Sequence, residues 1–218
     1  MKKTLTVLTV LALAFAMVGS ASADMVSYTG DVDYSASIPT DLRLDKYESD
    51  DDIFVFDEKQ NLTLASALSV DIAKPGTYND AGDLVGAGGV IPAGTIVNSY
   101  IVHVDPKGTP SGLVTYQGSI TLSEKILGLI VNTSGLNSTD SVLGALGTTY
   151  DSSTMRGLEF TNQDQVTLWV SPDGMGMTLK ASNVLDNIRV VELVPVPGAV
   201  VLGLLGLGVA GLKLRKFA

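Results

Sequence analysis

The residue with the clearest chemical potential in this sequence is His103, its only histidine. His103 and Asp105 are two residues apart in a β-branched segment, so on a strand their side chains point to the same side. A histidine–carboxylate pair could serve as a general base or in a metal site. The alternative is structural, with His103 hydrogen-bonded to Asp105 or to a backbone carbonyl. Because no G-x-S-x-G nucleophile elbow is present, we predict no catalytic residue and no enzyme.

A run of carboxylates offers a second kind of chemistry. Asp50, Asp51 and Asp52 follow Glu48, and calcium is bound by several oxygen ligands from a compact loop. The D-x-D-x-D-G spacing of the usual calcium loop is absent, so a solvated acidic turn is the simpler interpretation. We predict no cofactor, and calcium stays an open alternative. The residues considered for a metal site are Asp50, Asp51, Asp52, His103 and Asp105.

Charged residues also lie inside apolar segments: Arg156 and Glu159 in "RGLEF", and Asp186 and Arg189 in "DNIRV". Charges in such surroundings are usually paired. Asp186 and Arg189 fall on opposite sides of a strand and need different partners. We predict structural ion pairs such as Arg156 with Asp186 or Glu159. A glycoside hydrolase would need Glu159 and a second acid at a defined separation, which the sequence does not indicate.

The aromatic residues that could stack on sugars include the single tryptophan. The candidates are Trp169, Tyr100, Tyr116 and Tyr150. Aromatic side chains at alternating strand positions more often belong to the core, so we expect core residues, with a sugar-binding platform as the alternative.

The bulk composition excludes several classes of protein. The chain has 218 residues, a formal net charge of −9 and no cysteine. The segment between the two termini is acidic, which argues against a nucleic acid partner because phosphate neutralisation needs clustered Lys and Arg. The absence of cysteine excludes disulfides, thiol catalysis and Cys-ligated zinc.

The elements that position these residues are short strands separated by turns that contain Gly and Pro. In residues 95–104, Tyr100, Val102 and Val104 share one face and Ile101 and His103 the other. "VTLWV" and "MGMTLKA" flank Ser-Pro-Asp-Gly, a hairpin turn signal. "STDSVLGAL" is the best place for a short helix, capped by Ser138 or Thr139. We predict an all-β fold, an antiparallel, jelly-roll-like β-sandwich flanked by an N-terminal signal helix and a C-terminal transmembrane helix.

The N-terminal residues have the organisation of a secretory signal peptide. Two lysines precede an apolar run, and small residues follow it up to Ala21-Ser22-Ala23. This A-x-A exit predicts cleavage by signal peptidase after Ala23, so that the mature chain starts at Asp24.

The C-terminal residues read "VPVPGAVVLGLLGLGVAGLKLRKFA". Two prolines mark the start of an apolar helix whose length approaches that of a membrane span. The basic tip would remain in the cytoplasm by the positive-inside rule, which places the preceding domain outside. The residues that define this signal are Val194, Pro195, Val196, Pro197, Lys213, Arg215 and Lys216.

This order of Pro-x-Pro, a Gly- and Leu-rich span and a basic end resembles the PEP-CTERM sorting signal of bacteria, with V-P-V-P in place of the usual V-P-E-P. The resemblance implies recognition by an exosortase-like membrane protease. It also implies a protein of the cell envelope or surface, anchored in the membrane at least transiently. We therefore predict three parts: a signal peptide over 1–23, an extracellular β-sandwich domain over 24–192 and a sorting signal or transmembrane anchor over 193–218.

The central segment also resembles an extracellular domain often found ahead of PEP-CTERM signals, through "VNSYIVHVDPKGTP", "RGLEF" and "DNIRV" among others. That family brings no established activity. From the two resemblances we expect a structural or adhesive protein of the cell surface or of an exopolysaccharide biofilm matrix, with extracellular polysaccharide as a partner. The alternatives are a carbohydrate-binding module, with or without calcium, and thirdly a glycan-acting hydrolase.

Overall fold

The computed structural model of the protein describes residues 25–108, 114–160, 164–169, 173–181 and 184–195. The described residues from Met25 to Val194 belong to one compact unit. No helix within these ranges is long and apolar enough to cross a membrane. The predicted cleavage site at Ala21 and Ala23 lies outside the described residues, and so do Val196, Pro197, Lys213, Arg215 and Lys216 of the predicted sorting signal.

The described residues form fifteen strands, one α-helix and a 3₁₀ turn over Ala81–Leu84. The strands are β1 (Met25–Gly30), β2 (Val32–Ser35), β3 (Asp41–Leu42), β4 (Ile53–Asp57), β5 (Leu62–Thr63), β6 (Leu68–Val70), β7 (Gly76–Tyr78), β8 (Gly89–Ile91), β9 (Ile96–Val104), β10 (Val114–Leu122), β11 (Ile126–Ile130), β12 (Thr149–Tyr150), β13 (Gln165–Leu168), β14 (Gly174–Ala181) and β15 (Asp186–Leu193). The helix α1 spans Thr133–Leu143.

The strands build two main sheets. The five-stranded sheet has the order β1-β10-β14-β13-β7, and the six-stranded sheet has the order β11-β15-β9-β4-β2, with β5 also paired to β9. Every pair in these sheets is antiparallel except β2 with β4, which is parallel. Buried side chains from both sheets form one hydrophobic core, so the fold is a mostly-β sandwich, as the sequence predicted. The prediction of purely antiparallel sheets does not hold for the parallel pair of β2 and β4.

The two sheets differ in how many of their faces are buried. In β10 of the five-stranded sheet, Tyr116 and Ile120 are buried while Thr115 and Gln117 are exposed, the alternation of a strand with one solvated face. In β9 of the six-stranded sheet, every residue from Val97 to Val104 is buried. The five-stranded sheet therefore exposes its outer face.

A second core covers the outer face of the six-stranded sheet. Val97 and Ile101 of β9 contribute to it, together with Leu136 and Leu143 of α1. Tyr100, Val102 and Val104 lie instead in the core between the sheets. The predicted division of the strand into two faces is confirmed, and both faces are buried because α1 packs on the second one.

The helix begins earlier than the sequence predicted. Its N-cap is Asn132, and Ser138 and Thr139 lie inside the helix, where both hydroxyls donate to the Gly135 carbonyl. The cap prediction at Ser138 or Thr139 is wrong because these hydroxyls bond to the preceding turn instead of to free amides. The start of the helix is fixed from outside, since Asp71 Oδ2 accepts hydrogen bonds from the Val131 and Asn132 amides.

The predicted hairpin is present, because β13 and β14 are antiparallel neighbours, although Ser171 and Pro172 of its turn lie outside the described residues. At the other end of the domain, β15 runs to Leu193. The Val194 amide donates to the Ile96 carbonyl at 2.9 Å, and its side chain is buried. The first residue of the V-P-V-P motif therefore packs against the sandwich.

Candidate functional site

The four candidate aromatic residues have different surroundings. Tyr100 and Tyr116 are buried in the core between the sheets. The Tyr150 ring is covered by the guanidinium groups of Arg156 and Arg189, at 5.2 and 5.5 Å from the ring centroid. Trp169 is 36% exposed. The expectation of core residues therefore holds for Tyr100 and Tyr116, whereas Trp169 presents its indole to solvent.

Two glycines of β14 define the position of the indole. A Cβ atom on Gly174 would lie 2.0 Å from Trp169 Cε3, and a Cβ on Gly176 would lie 3.4 Å from Trp169 Nε1. Positions 174 and 176 share a strand face, so the indole lies along the outer face of β14 where side chains are missing. One side of the ring rests on the sheet, and the residue remains 36% exposed.

The indole is one wall of an open cleft of about 690 Å³ on the outer face of the five-stranded sheet. The cleft is lined by residues of β1, β10, β13 and β14 and by the turn after β1. These residues are Thr29, Gly30, Asp31, Thr115, Gln117, Gly118, Ser119, Gln165, Thr167, Trp169 and Gly176. Hydroxyl and amide side chains dominate. Asp31 is the one charged residue among the described lining residues.

The polar groups of the cleft are held in place by cross-strand hydrogen bonds. Thr29 Oγ1 and Ser119 Oγ are 2.7 Å apart, and Asp31 Oδ2 accepts a hydrogen bond from the backbone amide of Gln117 at 2.7 Å. A hydroxyl that makes one such bond can still donate or accept another. The cleft can thus stack an apolar ring face on Trp169 and hydrogen-bond neutral hydroxyl groups around it.

The cleft residues on β10 were missed by the sequence analysis, which considered only Tyr116 of that strand. The signal was present in the alternate positions, where Thr115, Gln117 and Ser119 are all small or neutral polar residues. The Gly-Met-Gly sequence of β14 is the second signal, because two glycines on one strand face leave room for an indole. The register of β13 with β14 brings Trp169 beside them.

His103 has a structural environment. It is fully buried; Nε2 lies 3.0 Å from the Tyr47 carbonyl and Nδ1 lies 3.0 Å from the side-chain amide of Asn187. The Tyr47 carbonyl can only accept, so Nε2 carries the proton. We assign the Asn187 nitrogen toward Nδ1, an orientation that also lets it donate to the Val102 and Asp186 carbonyls. Burial lowers the pKa of His103 to about 4, so the ring is neutral near pH 7.

Asp105 does not contact His103 through a hydrogen bond in the described residues. Its Oδ2 accepts from the Asp45 amide at 2.8 Å, while Oδ1 is buried without a hydrogen-bond partner among the described residues. Burial raises the pKa of Asp105 to about 7, with a smaller contribution from the carboxylate of Glu48. His103 and Asp105 therefore do not form the histidine–carboxylate pair that the sequence suggested. His103 is hydrogen-bonded to a backbone carbonyl, as in the alternative that gave it a structural role.

The acidic run mainly fixes loops. Asp50 Oδ1 accepts from the Lys107 amide at 2.9 Å, and Asp52 Oδ2 accepts from the Ser49 hydroxyl at 2.7 Å. Asp51 is exposed, and its backbone amide donates to Ser49 Oγ. The structure thus places these three residues in a hydrogen-bonded turn beside the segment after β9.

The buried arginines pair differently from the prediction. Arg156 binds Asp140 of α1 at 2.6 Å, not Asp186 or Glu159. Arg189 donates to both oxygens of Glu58 at 2.7 Å and to Asp140 at 2.9 Å. The predicted pairing is wrong because α1 brings Asp140 between the two guanidinium groups. The prediction that Asp186 and Arg189 have different surroundings is confirmed.

Glu159, Asp164 and Asp186, which we call the acidic triad, form a group that the sequence did not indicate. Each offers one carboxylate oxygen, and these oxygens lie within 4.8 Å of one another. Burial raises the pKa of Asp186 well above its usual range, and the other two carboxylates add to this. Burial, followed by the charge of Asp164, raises the pKa of Glu159 to about 7. Asp164 was missed because it lies on a different segment from "RGLEF" and "DNIRV".

Comparisons of this chain with protein-family models, with curated proteins and with solved structures found no match.

Proposed function

We propose that the protein is exported to the cell surface or to an exopolysaccharide matrix, where its β-sandwich domain has an adhesive role and binds polysaccharide in the cleft beside Trp169. The observation that carries this proposal is the indole supported by Gly174 and Gly176 within a cleft lined by hydroxyl and amide groups.

The chemistry of the cleft favours a neutral sugar chain. The apolar C–H face of a sugar ring can pack on the exposed side of the indole, and its hydroxyls can exchange hydrogen bonds with Thr, Ser and Gln side chains. A charged glycan would need a countercharge, and Asp31 would repel an anionic one. The cleft is open on its outer side, which suits an internal segment of a long chain.

The sequence of the two termini supports export of the protein to the cell envelope. We propose a signal peptide cut by signal peptidase and a PEP-CTERM-like tail that anchors the chain in the membrane and is sorted by an exosortase-like protease. We also propose that the sandwich is jelly-roll-like, with the cleft on the sheet that faces away from α1. Buried Val194 supports a short connection between β15 and this tail.

A glycan-acting hydrolase receives less support. Glycoside hydrolysis uses two carboxyl groups, about 5–9.5 Å apart, on either side of the scissile bond. Among the described residues that line the cleft, Asp31 is the one carboxylate, and it accepts a hydrogen bond from the Gln117 amide. Binding without cleavage agrees better with this arrangement.

The test is a screen of the purified full chain against a panel of neutral and charged glycans, followed by titration of the best ligand. Trp169 is the only tryptophan, so its fluorescence reports on the cleft directly. We expect quenching by a neutral polysaccharide. For Trp169→Ala, which has no tryptophan, we expect titration calorimetry to show a loss of at least about tenfold in affinity, which corresponds to about 1.4 kcal/mol.

Two glycine variants form a matched pair for this experiment. Gly174→Ala places a methyl group 2.0 Å from the indole and must displace the ring, whereas Gly176→Ala makes an ordinary contact at 3.4 Å. We expect Gly174→Ala to reduce the affinity as Trp169→Ala does, and Gly176→Ala to remain near wild type. Absence of binding across the panel, or equal affinity of Trp169→Ala and wild type, would refute the proposal.

A further inference from the structure

The acidic triad joins segments of different sheets. Asp164 immediately precedes β13 of the five-stranded sheet, and Asp186 is the first residue of β15 of the six-stranded sheet. Glu159 lies on the segment before β13. Three carboxylate oxygens within 4.8 Å of one another in a buried place repel strongly unless something neutralises them.

Two of these carboxylates have an oxygen with no hydrogen-bond partner among the described residues. Asp186 is only 2% exposed, and its Oδ1 has none. Oε1 of the half-buried Glu159 is also buried and has none. A buried carboxylate oxygen that receives no hydrogen bond costs free energy, so these atoms indicate a missing partner.

The missing partner can be a proton or a cation. Proton sharing between two carboxyl groups places their oxygens at hydrogen-bond distance, about 2.5–2.7 Å. A cation accounts for all three carboxylates at once, because one ion can be bound by three oxygens that lie within 4.8 Å of one another, whereas one shared proton joins only two oxygens.

The donor set selects the kind of ion. It contains only carboxylate oxygens, which hard cations such as Ca²⁺ and Mg²⁺ prefer over softer metals. Ca²⁺ binds about six to eight oxygens in a flexible geometry, whereas Mg²⁺ requires near-ideal octahedral geometry and usually keeps several waters, which a buried position disfavours. We propose that Glu159, Asp164 and Asp186 bind one Ca²⁺, which ties the start of β13 to the start of β15.

The test uses the purified full chain, freed of metal by a chelator. We expect one bound Ca²⁺ per chain in equilibrium dialysis. We also expect a melting temperature about 5–10 °C higher when calcium is at about 100 times its Kd than in chelator, with a smaller shift for Mg²⁺. Asp186→Asn should abolish the calcium response and melt in chelator at or above the wild-type temperature, because it removes an unpaired buried charge.

Glu159→Gln is the second variant, because its half-buried position is less demanding for folding, and it should also reduce the calcium response. Asp105→Asn is the matched control: Asp105 is another buried carboxylate with an unpartnered oxygen, but it lies outside the triad, so this variant should keep the full response. A wild-type chain that neither binds nor is stabilised by calcium would overturn the site, as would wild-type calcium responses in both triad variants. The outcome is independent of glycan binding, which is measured separately.

Discussion

Replacing Asp105 by Asn should change how the stability of the domain depends on pH. Asp105 is 1% exposed, its Oδ1 has no hydrogen-bond partner among the described residues, and burial raises its pKa to about 7 from its ordinary value of 3.8. Because the pKa is higher in the folded state, the folded chain holds a proton that the unfolded chain releases. This contribution to stability is complete below about pH 4 and is lost as the pH rises to about 7.

The magnitude follows from the shift of about three pKa units. Each unit corresponds to about 1.4 kcal/mol, so ionisation of Asp105 reduces the free energy of unfolding by up to about 4 kcal/mol above pH 7. Local relaxation and entry of water make this an upper limit. Asn cannot ionise and keeps an oxygen for the Asp45 amide, so Asp105→Asn should gain stability relative to wild type as the pH rises.

The assay is denaturant unfolding of wild type and variant in chelator at several values between about pH 4 and pH 8, followed by Trp169 fluorescence. Subtracting the two curves cancels groups that both proteins share, including Glu159. The exposed Asp51→Asn removes one charge of the same sign and is the control for the change in net charge. A difference that does not change with pH for Asp105→Asn would show that the Asp105 carboxylate stays solvated and would refute the reasoning.

Two further predictions concern packing. Arg189→Met should lower the free energy of unfolding by about 3–5 kcal/mol because it leaves Glu58 buried without its guanidinium partner. In denaturant unfolding, the double variant with Glu58→Gln should recover part of this loss. No recovery would contradict the pairing. Gly30→Ala should destabilise the domain more than Gly94→Ala. Both glycines have positive φ, but a Cβ on Gly30 would lie 2.1 Å from the Gln117 carbonyl oxygen, while a Cβ on Gly94 would meet open space. Equal melting temperatures of the two variants would count against the close approach at Gly30.

Local patterns were enough to predict the class of fold and several of its elements. The alternation in residues 95–104 placed Tyr100 and Ile101 on opposite faces, and the structure puts them in the two different cores. The same reasoning separated Asp186 from Arg189. These predictions hold because strand periodicity is a property of consecutive residues.

The cleft and the acidic triad could not be predicted in the same way, because both depend on how distant segments of the chain align. Trp169 lies beside Gly174 and Gly176 through the pairing of β13 with β14, and Asp164 meets Asp186 although the two residues belong to different sheets. The pairing of Arg156 failed for a related reason. Asp140 reaches both arginines because the helix that spans Thr133–Leu143 packs on the six-stranded sheet, a contact between distant segments.

The position of the cleft follows from what the two sheets do with their outer faces. The outer face of the six-stranded sheet carries Arg189 and Glu58, both fully buried as side chains, and these charges require α1 with Thr139 and Asp140 to complete their hydrogen bonds. Exposing this face to a ligand would break a buried ion network, which is far more costly than displacing water from a polar surface. The five-stranded sheet carries no such network on its described outer residues. Its Thr and Ser hydroxyls hydrogen-bond in pairs across the strands, and the polar groups that face solvent can exchange water for sugar hydroxyls at little cost. The fold thus favours the face where Trp169 lies for the polysaccharide binding that we propose.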